Sequence, residues 1–205
     1  TKISADTAKL ARRWLNAAGR NEPALAIVLD KLIGVDGTTA AYSPAYVTAL
    51  EKEALAAGNA AEGKKLFELP LLSCTSCHAV DGVKGASSAV KGPNLSALAA
   101  GVPINIIIES VLWPGRQIKE GYLATTVVTK EGKVLSGLVH SEDKKTLRLL
   151  DLASGKITTV QTGAILRRTK GGTVMPPGLT ASLTRIELRD LVRYLSTLKT
   201  SGQSR

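Results

Sequence analysis

Aromatic residues are scarce in this chain of 205 residues: they make up 3% of it, although hydrophobic residues make up 44%. A core built from Ala, Leu, Val and Ile lacks large flat fillers, so something other than side chains is expected to supply one. Cysteine is scarce too, and two cysteines cannot form the disulfide framework of a small secreted scaffold. No apolar run is long enough to span a bilayer, which excludes a transmembrane segment in this chain. One methionine and two histidines leave few soft or imidazole ligands for any metal. The chain begins at Thr1 without Met or a signal peptide, which fits a processed export product and equally an excised fragment.

Acidic residues are in deficit in one part only. Residues 1 to 73 carry 9 Lys+Arg against 8 Asp+Glu, and residues 74 to 205 carry 18 against 9, so the formal +10 divides into +1 and +9. A field of this kind steers an acidic protein partner, an anionic surface or nucleic acid, or simply keeps a surface soluble.

What is present falls into three kinds of segment. Residues 1 to 57 read as helices: Ala8, Leu10, Ala11, Trp14 and Leu15 recur at helical spacing, with Trp14 as a helix-packing residue. Asn21-Glu22-Pro23 caps an apolar helix to Ile33, and Ser43-Pro44 opens another that ends at Gly58. Asn59 with Glu62 makes a capping-box-like start for a short helix through Phe67, stopped by Pro70. Thr184 with Glu187 repeats the device and opens a last helix with Leu188, Leu191, Val192, Leu195 and Leu198 on one side. Between these two helices the period changes. TTVVT, KVLSGLVH, TLRLL, KITTVQ and AILRR are β-rich runs parted by Glu131-Gly132, Ser141-Glu142-Asp143 and Ser154-Gly155. They predict five short antiparallel strands, a small barrel-like insertion over residues 121 to 170.

Both cysteines lie in Cys74-Thr75-Ser76-Cys77-His78, between the two capped helices. Thiols almost one helical turn apart can reach the two vinyl groups of one haem and form thioethers. His78, about 100° further round a helix, can turn beneath the porphyrin and ligate iron. CxxCH is the attachment sequence for c-type haem, and a covalent haem c would supply the flat apolar body that the aromatic-poor core lacks. Two rivals share these residues. A zinc site needs four ligands, and the only further one of this kind is His140, some sixty residues away. A thioredoxin-like dithiol follows a βαβ pattern, whereas here a capped helix precedes the motif.

Met175, the single methionine, lies in Thr173-Val174-Met175-Pro176-Pro177-Gly178 just before the last helix. Two prolines stiffen this loop, as holding a weak thioether on iron requires, so Met175 is the expected second axial ligand beside His78. His140 ends a predicted strand before Ser-Glu-Asp and reads as a solvated turn residue.

Gly63 and Phe67 before CxxCH, Gly92-Pro93-Asn94-Leu95 after it, Met175 in a late loop and Tyr194 in an amphipathic last helix resemble the class I cytochrome c pattern. More specifically, the run from about Gly63 to Leu198 resembles the planctomycete/verrucomicrobial-type haem-binding domain. In that domain a β-rich insertion, opened here by IKEGYLATTVVTKEGKVLSGLV, precedes a Met-Pro-x-Gly-Leu segment, here Met175 to Leu179. The resemblance covers about two thirds of the chain and not residues 1 to 57. It implies an α+β protein: a mainly helical class I cytochrome c fold over residues 58 to 205, interrupted by the 121–170 insertion, behind a helical extension over 1–57. That extension is either packed on the cytochrome or the tail of a larger neighbour. It further implies that the Pro93 carbonyl accepts the Nδ1 hydrogen of His78, that Gly63, Phe67 and Tyr194 form a helix crossing, and that Trp113 and Arg116 face the haem propionates.

The expected function is electron transfer by one haem c with His/Met ligation, not enzymatic catalysis, in the periplasm or another exported location. The expected partner is an acidic redox protein or a dehydrogenase domain. The alternative is a haem-based sensor or peroxidase-like enzyme in which Met175 is displaced. Nucleic acid is not an expected partner, because within residues 121 to 170 Tyr122 is the only aromatic beside the basic run Arg167-Arg168-Thr169-Lys170.

Overall fold

The computed structural model describes residues 3–33, 41–83, 91–152 and 154–199. Among them are seven α-helices and one five-stranded antiparallel sheet, so the protein is α+β. The helices are α1 (Ala5–Ala17), α2 (Pro23–Ile33), α3 (Pro44–Ala57), α4 (Ala60–Phe67), α5 (Leu98–Gly101), α6 (Ile104–Leu112) and α7 (Arg185–Leu195). No described helix is long and apolar enough to cross a membrane.

Helix starts follow side-chain chemistry. Ser4 and Ser43 accept the amides of Thr7 and Tyr46 at the heads of α1 and α3. At α7 the full capping box forms between Thr184 and Glu187. At α4 only half of the expected box forms. Asn59 accepts from the amides of Ala61 and Glu62, but its own amide goes to Asp190 Oδ1 at 2.9 Å, and Glu62 pairs with Lys65 instead. A buried carboxylate from α7 has replaced the local partner, which ties the head of α4 to the last helix.

That tie sits beside the closest helix crossing. A side chain at Gly63 would overlap the Asp190 carbonyl, and Phe67 and Tyr194 pack their rings with centroids 5.6 Å apart. Around this crossing runs the main core: Val47, Leu50 and Ala54 of α3, Phe67 of α4, Leu72, Val80, Ile107 and Ile108 of α6, and Leu188, Leu191, Val192 and Leu195 of α7. Each fully buried Leu, Ile or Phe here contributes about 1.5–3 kcal/mol. The core does not stop at residue 57, because α3 supplies three of its members. The α1–α2 hairpin has its own small cluster of Ala8, Leu15 and Leu29, and is strapped to α7 through Lys9 to the Leu183 carbonyl and Arg13 to Glu187.

Trp14 does not pack between helices as expected: it is 59% exposed. Ala8 and Leu15 fill the α1–α2 seam, and Trp14 falls on a different side of α1.

The sheet lies in sequence between α6 and α7. Its strands are β1 (Leu123–Thr129), β2 (Val134–Glu142), β3 (Thr146–Leu150), β4 (Ile157–Gln161) and β5 (Ile165–Thr173), in the order β4-β3-β2-β1-β5. All five expected runs form strands, and β2 and β5 extend beyond their expected ends. β5 continues through Thr169 to Gly172, residues of turn-like composition, because Thr126 and Thr125 of β1 pair with Thr169 and Lys170. β2 continues past His140, which is the extra residue of a bulge between the Val139–Leu149 and Ser141–Arg148 pairs. His140 is therefore an exposed mid-strand residue rather than a strand end.

The sheet curls. Arg168 lies level with Val127 and Leu135, and Glu142 is seven residues further along β2, roughly 23 Å away in a flat strand. Yet Arg168 and Glu142 form an ion pair at 2.7 Å. The bend closes the sheet partly around Val127, Leu147, Leu149 and Val160.

Candidate functional site

The Cys74-to-His78 segment is one tight turn. A 3-10 helix spans Cys74–Ser76, and the Cys74 carbonyl accepts both the Cys77 amide at 3.2 Å and the His78 amide at 2.9 Å. The motif thus lies on a 3-10 turn rather than in a regular α-helix. Ser73, in the left-handed region with φ 54°, reverses the chain between this turn and the preceding one at Pro70–Leu72, and buried Leu72 anchors the approach in the core. Both cysteines are free thiols and half-buried. Burial pushes the Cys74 thiol up to about 11, which keeps it protonated at neutral pH.

A strap formed by residues 92 to 96 lies across the turn. The Gly92 amide donates to the Cys77 carbonyl at 2.9 Å, the Leu95 amide to the Ala79 carbonyl at 2.8 Å, and the Asp81 amide to Ser96 Oγ at 2.8 Å. Within this strap the Pro93 carbonyl stands 2.9 Å from His78 Nδ1. Proline's missing amide hydrogen is no handicap in that position, since only its carbonyl is used. With Nδ1–H donating to Pro93, the neutral imidazole keeps the Nε2 lone pair for another partner. Burial lowers the His78 pKa, and the Pro93 bond opposes this in part. Gly92 fits flat against the ring: a Cβ there would stand 2.8 Å from His78 Cε1 and 3.0 Å from Nδ1.

Met175 comes from a separate loop. It follows β5, is half-buried, and donates its amide to Thr173 Oγ1 at 3.1 Å. Pro176 and Pro177 come next, and Gly178 takes a φ of 79°, a conformation that favours glycine. Among the described residues, Met175 belongs to none of the three apolar clusters.

Trp113 and Arg116 belong to a group whose other members, Tyr42, Tyr46 and Glu109, the sequence did not reveal. Trp113 packs edge-on against Tyr42, with ring centroids 5.2 Å apart, and against Tyr46 at 6.4 Å. Arg116 lies 3.4 Å over the Tyr42 ring and donates from Nε to Glu109 at 3.3 Å. Glu109 is only 7% exposed and also accepts from the Tyr42 hydroxyl at 2.8 Å. The Arg116 guanidinium is therefore held by Glu109 and Tyr42. The one available signal was a lone acid inside the apolar run Ile104–Leu112. Tyr42 carried none, because its role depends on α3 packing beside α6.

The structure thus joins Cys74, Cys77, His78 and Pro93 directly, groups Trp113 with Arg116, and leaves His140 exposed on the sheet. Among the described residues no group of three or more His, Cys, Asp and Glu side chains could hold a metal ion, so His140 does not complete a zinc set with the turn. A shallow groove of about 200 Å³ between α4 and the start of α7 is lined by Glu62, Lys65, Leu66, Leu69, Glu187 and Asp190, and includes none of the residues above. No known family model matches the chain, and no curated protein is similar to it.

Proposed function

We propose that this chain is a monohaem c-type cytochrome domain of class I that transfers electrons. The observation that carries the reading is the held imidazole: His78 directly follows two free half-buried thiols on one turn, and its Nδ1 is tied to Pro93, leaving Nε2 to face a ligand. The residues fit the group. Cys74 and Cys77 would hold it through thioethers, His78 and Met175 would hold its iron, and the glycine at 92 leaves the imidazole its place. When bound, a haem c supplies a reversible one-electron change at iron. The rest of the chain's part is positional. Pro93 fixes the tautomer and rotation of His78 and strengthens it as a donor. Two prolines restrict the loop that carries Met175, so His78 and Met175 together would hold the iron and leave outer-sphere transfer, rather than substrate chemistry, as the reaction that the group would supply. Trp113 and Arg116 would border the group, with Arg116 oriented by Glu109 and Tyr42. Covalent haem attachment implies maturation in an exported compartment, and the +9 of residues 74 to 205 implies an acidic redox partner or dehydrogenase domain.

The test is production with an export and cytochrome-maturation system. Intact mass should exceed the chain mass by one haem that acid–acetone does not extract; a colourless protein with zinc or a Cys74–Cys77 disulfide would overturn the reading. Met175→Ala should then remove the weak long-wavelength sulfur-to-iron band, lower the potential and admit carbon monoxide to the reduced protein. The same changes from His140→Ala instead would reject the ligand assignment. Tight carbon monoxide binding or fast peroxide turnover with Met175 intact would move the assignment to a sensor or peroxidase.

A further inference from the structure

The α1–α2 hairpin leaves an apolar face uncovered. On α1, Leu10 and Trp14 are spaced by four residues, so they share one stripe, and both are exposed. On α2, Leu25, Val28 and Leu32 are spaced by three and four and are likewise exposed. The Arg12–Asp30 ion pair at 2.9 Å and the Leu15 and Leu29 seam fix the antiparallel alignment. That alignment sets Trp14 level with Val28 and Leu10 level with Leu32. Asp6, Lys9 and Arg13 lie on another side of α1, where they bond the Arg185 amide, the Leu183 carbonyl and Glu187. Asp30 lies toward that same flank of α2. The two stripes therefore adjoin each other on the flank turned away from α7. No charged residue falls within them, and Ala11 and Ala18 beside Trp14 leave shallow seats for a large ring.

We infer that this face is the interface of a symmetric dimer, in which the α1–α2 hairpins of two copies pack into a four-helix layer. The five large side chains of the two stripes expose on the order of 500 Å², comparable with the largest apolar patch that a monomer usually tolerates. Paired about a two-fold axis, two such faces cover about 1,000 Å² in all, the least that a specific interface clears and the size of a weak, concentration-dependent dimer. In a two-fold contact each face meets its own copy, and a face without charges meets itself with no like-charge repulsion. The seam inside one hairpin buries only Ala8, Leu15 and Leu29, so a second layer adds the burial that the hairpin lacks. Each copy carries a formal +10, of which +9 lies in residues 74 to 205 outside the hairpin, so the repulsion between copies is screened by salt and association strengthens as salt rises. This inference does not rest on the haem reading.

Sedimentation equilibrium of the full chain over a concentration series, at low and at high salt, tests it. The expected result is a mass approaching twice 21.5 kDa, with tighter association at high salt. Trp14→Glu and Val28→Glu should each weaken association at least tenfold while leaving circular dichroism unchanged, because both side chains are exposed. Ile27→Glu, at a residue 68% exposed on another side of α2, should leave association intact. A single-chain mass at every concentration and salt, or association that Ile27→Glu weakens as much as Trp14→Glu does, would overturn the dimer.

Discussion

A methyl group at position 92 would stand 2.8 Å from Cε1 of His78 and 3.2 Å from the Cys77 carbonyl. Neither neighbour is the free end of a flexible chain, so Gly92→Ala must rotate the imidazole off Pro93 or lift the strap. The expected cost is about 1–3 kcal/mol in chemical denaturation, with loss of the downfield Nδ1–H signal in nitrogen-15 histidine spectra. A Gly92→Ala protein that keeps the wild-type Nδ1–H signal would show that the strap has slack. The same scale explains Arg116. Its guanidinium is shared between a buried carboxylate and a tyrosine ring, so its position is set by Glu109 and Tyr42 rather than by its own rotamers.

At the scale of elements, the helical residues before α4 do two jobs. α3 puts Leu50, fully buried, into the main core together with Val47 and Ala54, whereas α1 and α2 bury chiefly each other. A chain lacking residues 1–33 should keep cooperative urea unfolding. One lacking residues 1–57 should lose it, since even Leu50→Ala is expected to cost about 2–5 kcal/mol. Equal behaviour of the two truncations would contradict this division. The straps also carry a pH dependence. The hydrogen bond from Arg185 holds the Glu53 carboxyl below its ordinary 4.5. Burial alone would raise Glu187, but hydrogen bonds from Arg13 and Thr184 overrule it and hold that carboxyl low as well. Both groups bind protons more weakly folded than unfolded. Their stabilisation is therefore present above about pH 4.5 and is lost as pH falls through the lower folded values. Urea midpoints at pH 7 and pH 4 should differ less in the double variant Arg13→Met/Arg185→Met than in the native chain; an unchanged difference would assign the acid sensitivity elsewhere.

For the whole molecule, charge placement matters more than charge count. The run Arg167-Arg168-Thr169-Lys170 looks like one basic patch in the sequence, but strand pairing divides it. Arg168 and Lys170 share the side of buried Val127 and Thr125, and Arg167 lies on the outer side opposite Val128. Arg168 is also committed to Glu142, and inward-directed charges of this kind protect an edge strand from pairing with other chains. If the proposed acidic partner docks here, its steering depends on the summed field of residues 74 to 205 rather than on this run. Under the electron-transfer reading, the rate of reduction by an acidic donor should fall steeply as salt shortens the screening length to about 10 Å at 0.1 M. A rate independent of ionic strength in stopped-flow measurements would remove the electrostatic part of the docking proposal.

What the sequence determined by itself was whatever depends on neighbours a few residues apart. Caps at Ser43 and Thr184, five strands between turn residues, and two thiols with an imidazole on one turn all follow from local spacing, because hydrogen bonds to the nearest amides and the period of apolar residues act within a few positions. The tertiary structure decided whatever brings distant segments to one place. It gave the Asn59 amide to Asp190 rather than to Glu62, extended β5 through glycines because β1 lay beside it, and set Tyr42 and Glu109 around Arg116. Trp14 shows the difference at a single residue. Its spacing promised a buried face, but among the described residues α1 packs its apolar seam on α2 and ties its polar flank to the segment that opens α7, and Trp14 falls on neither side.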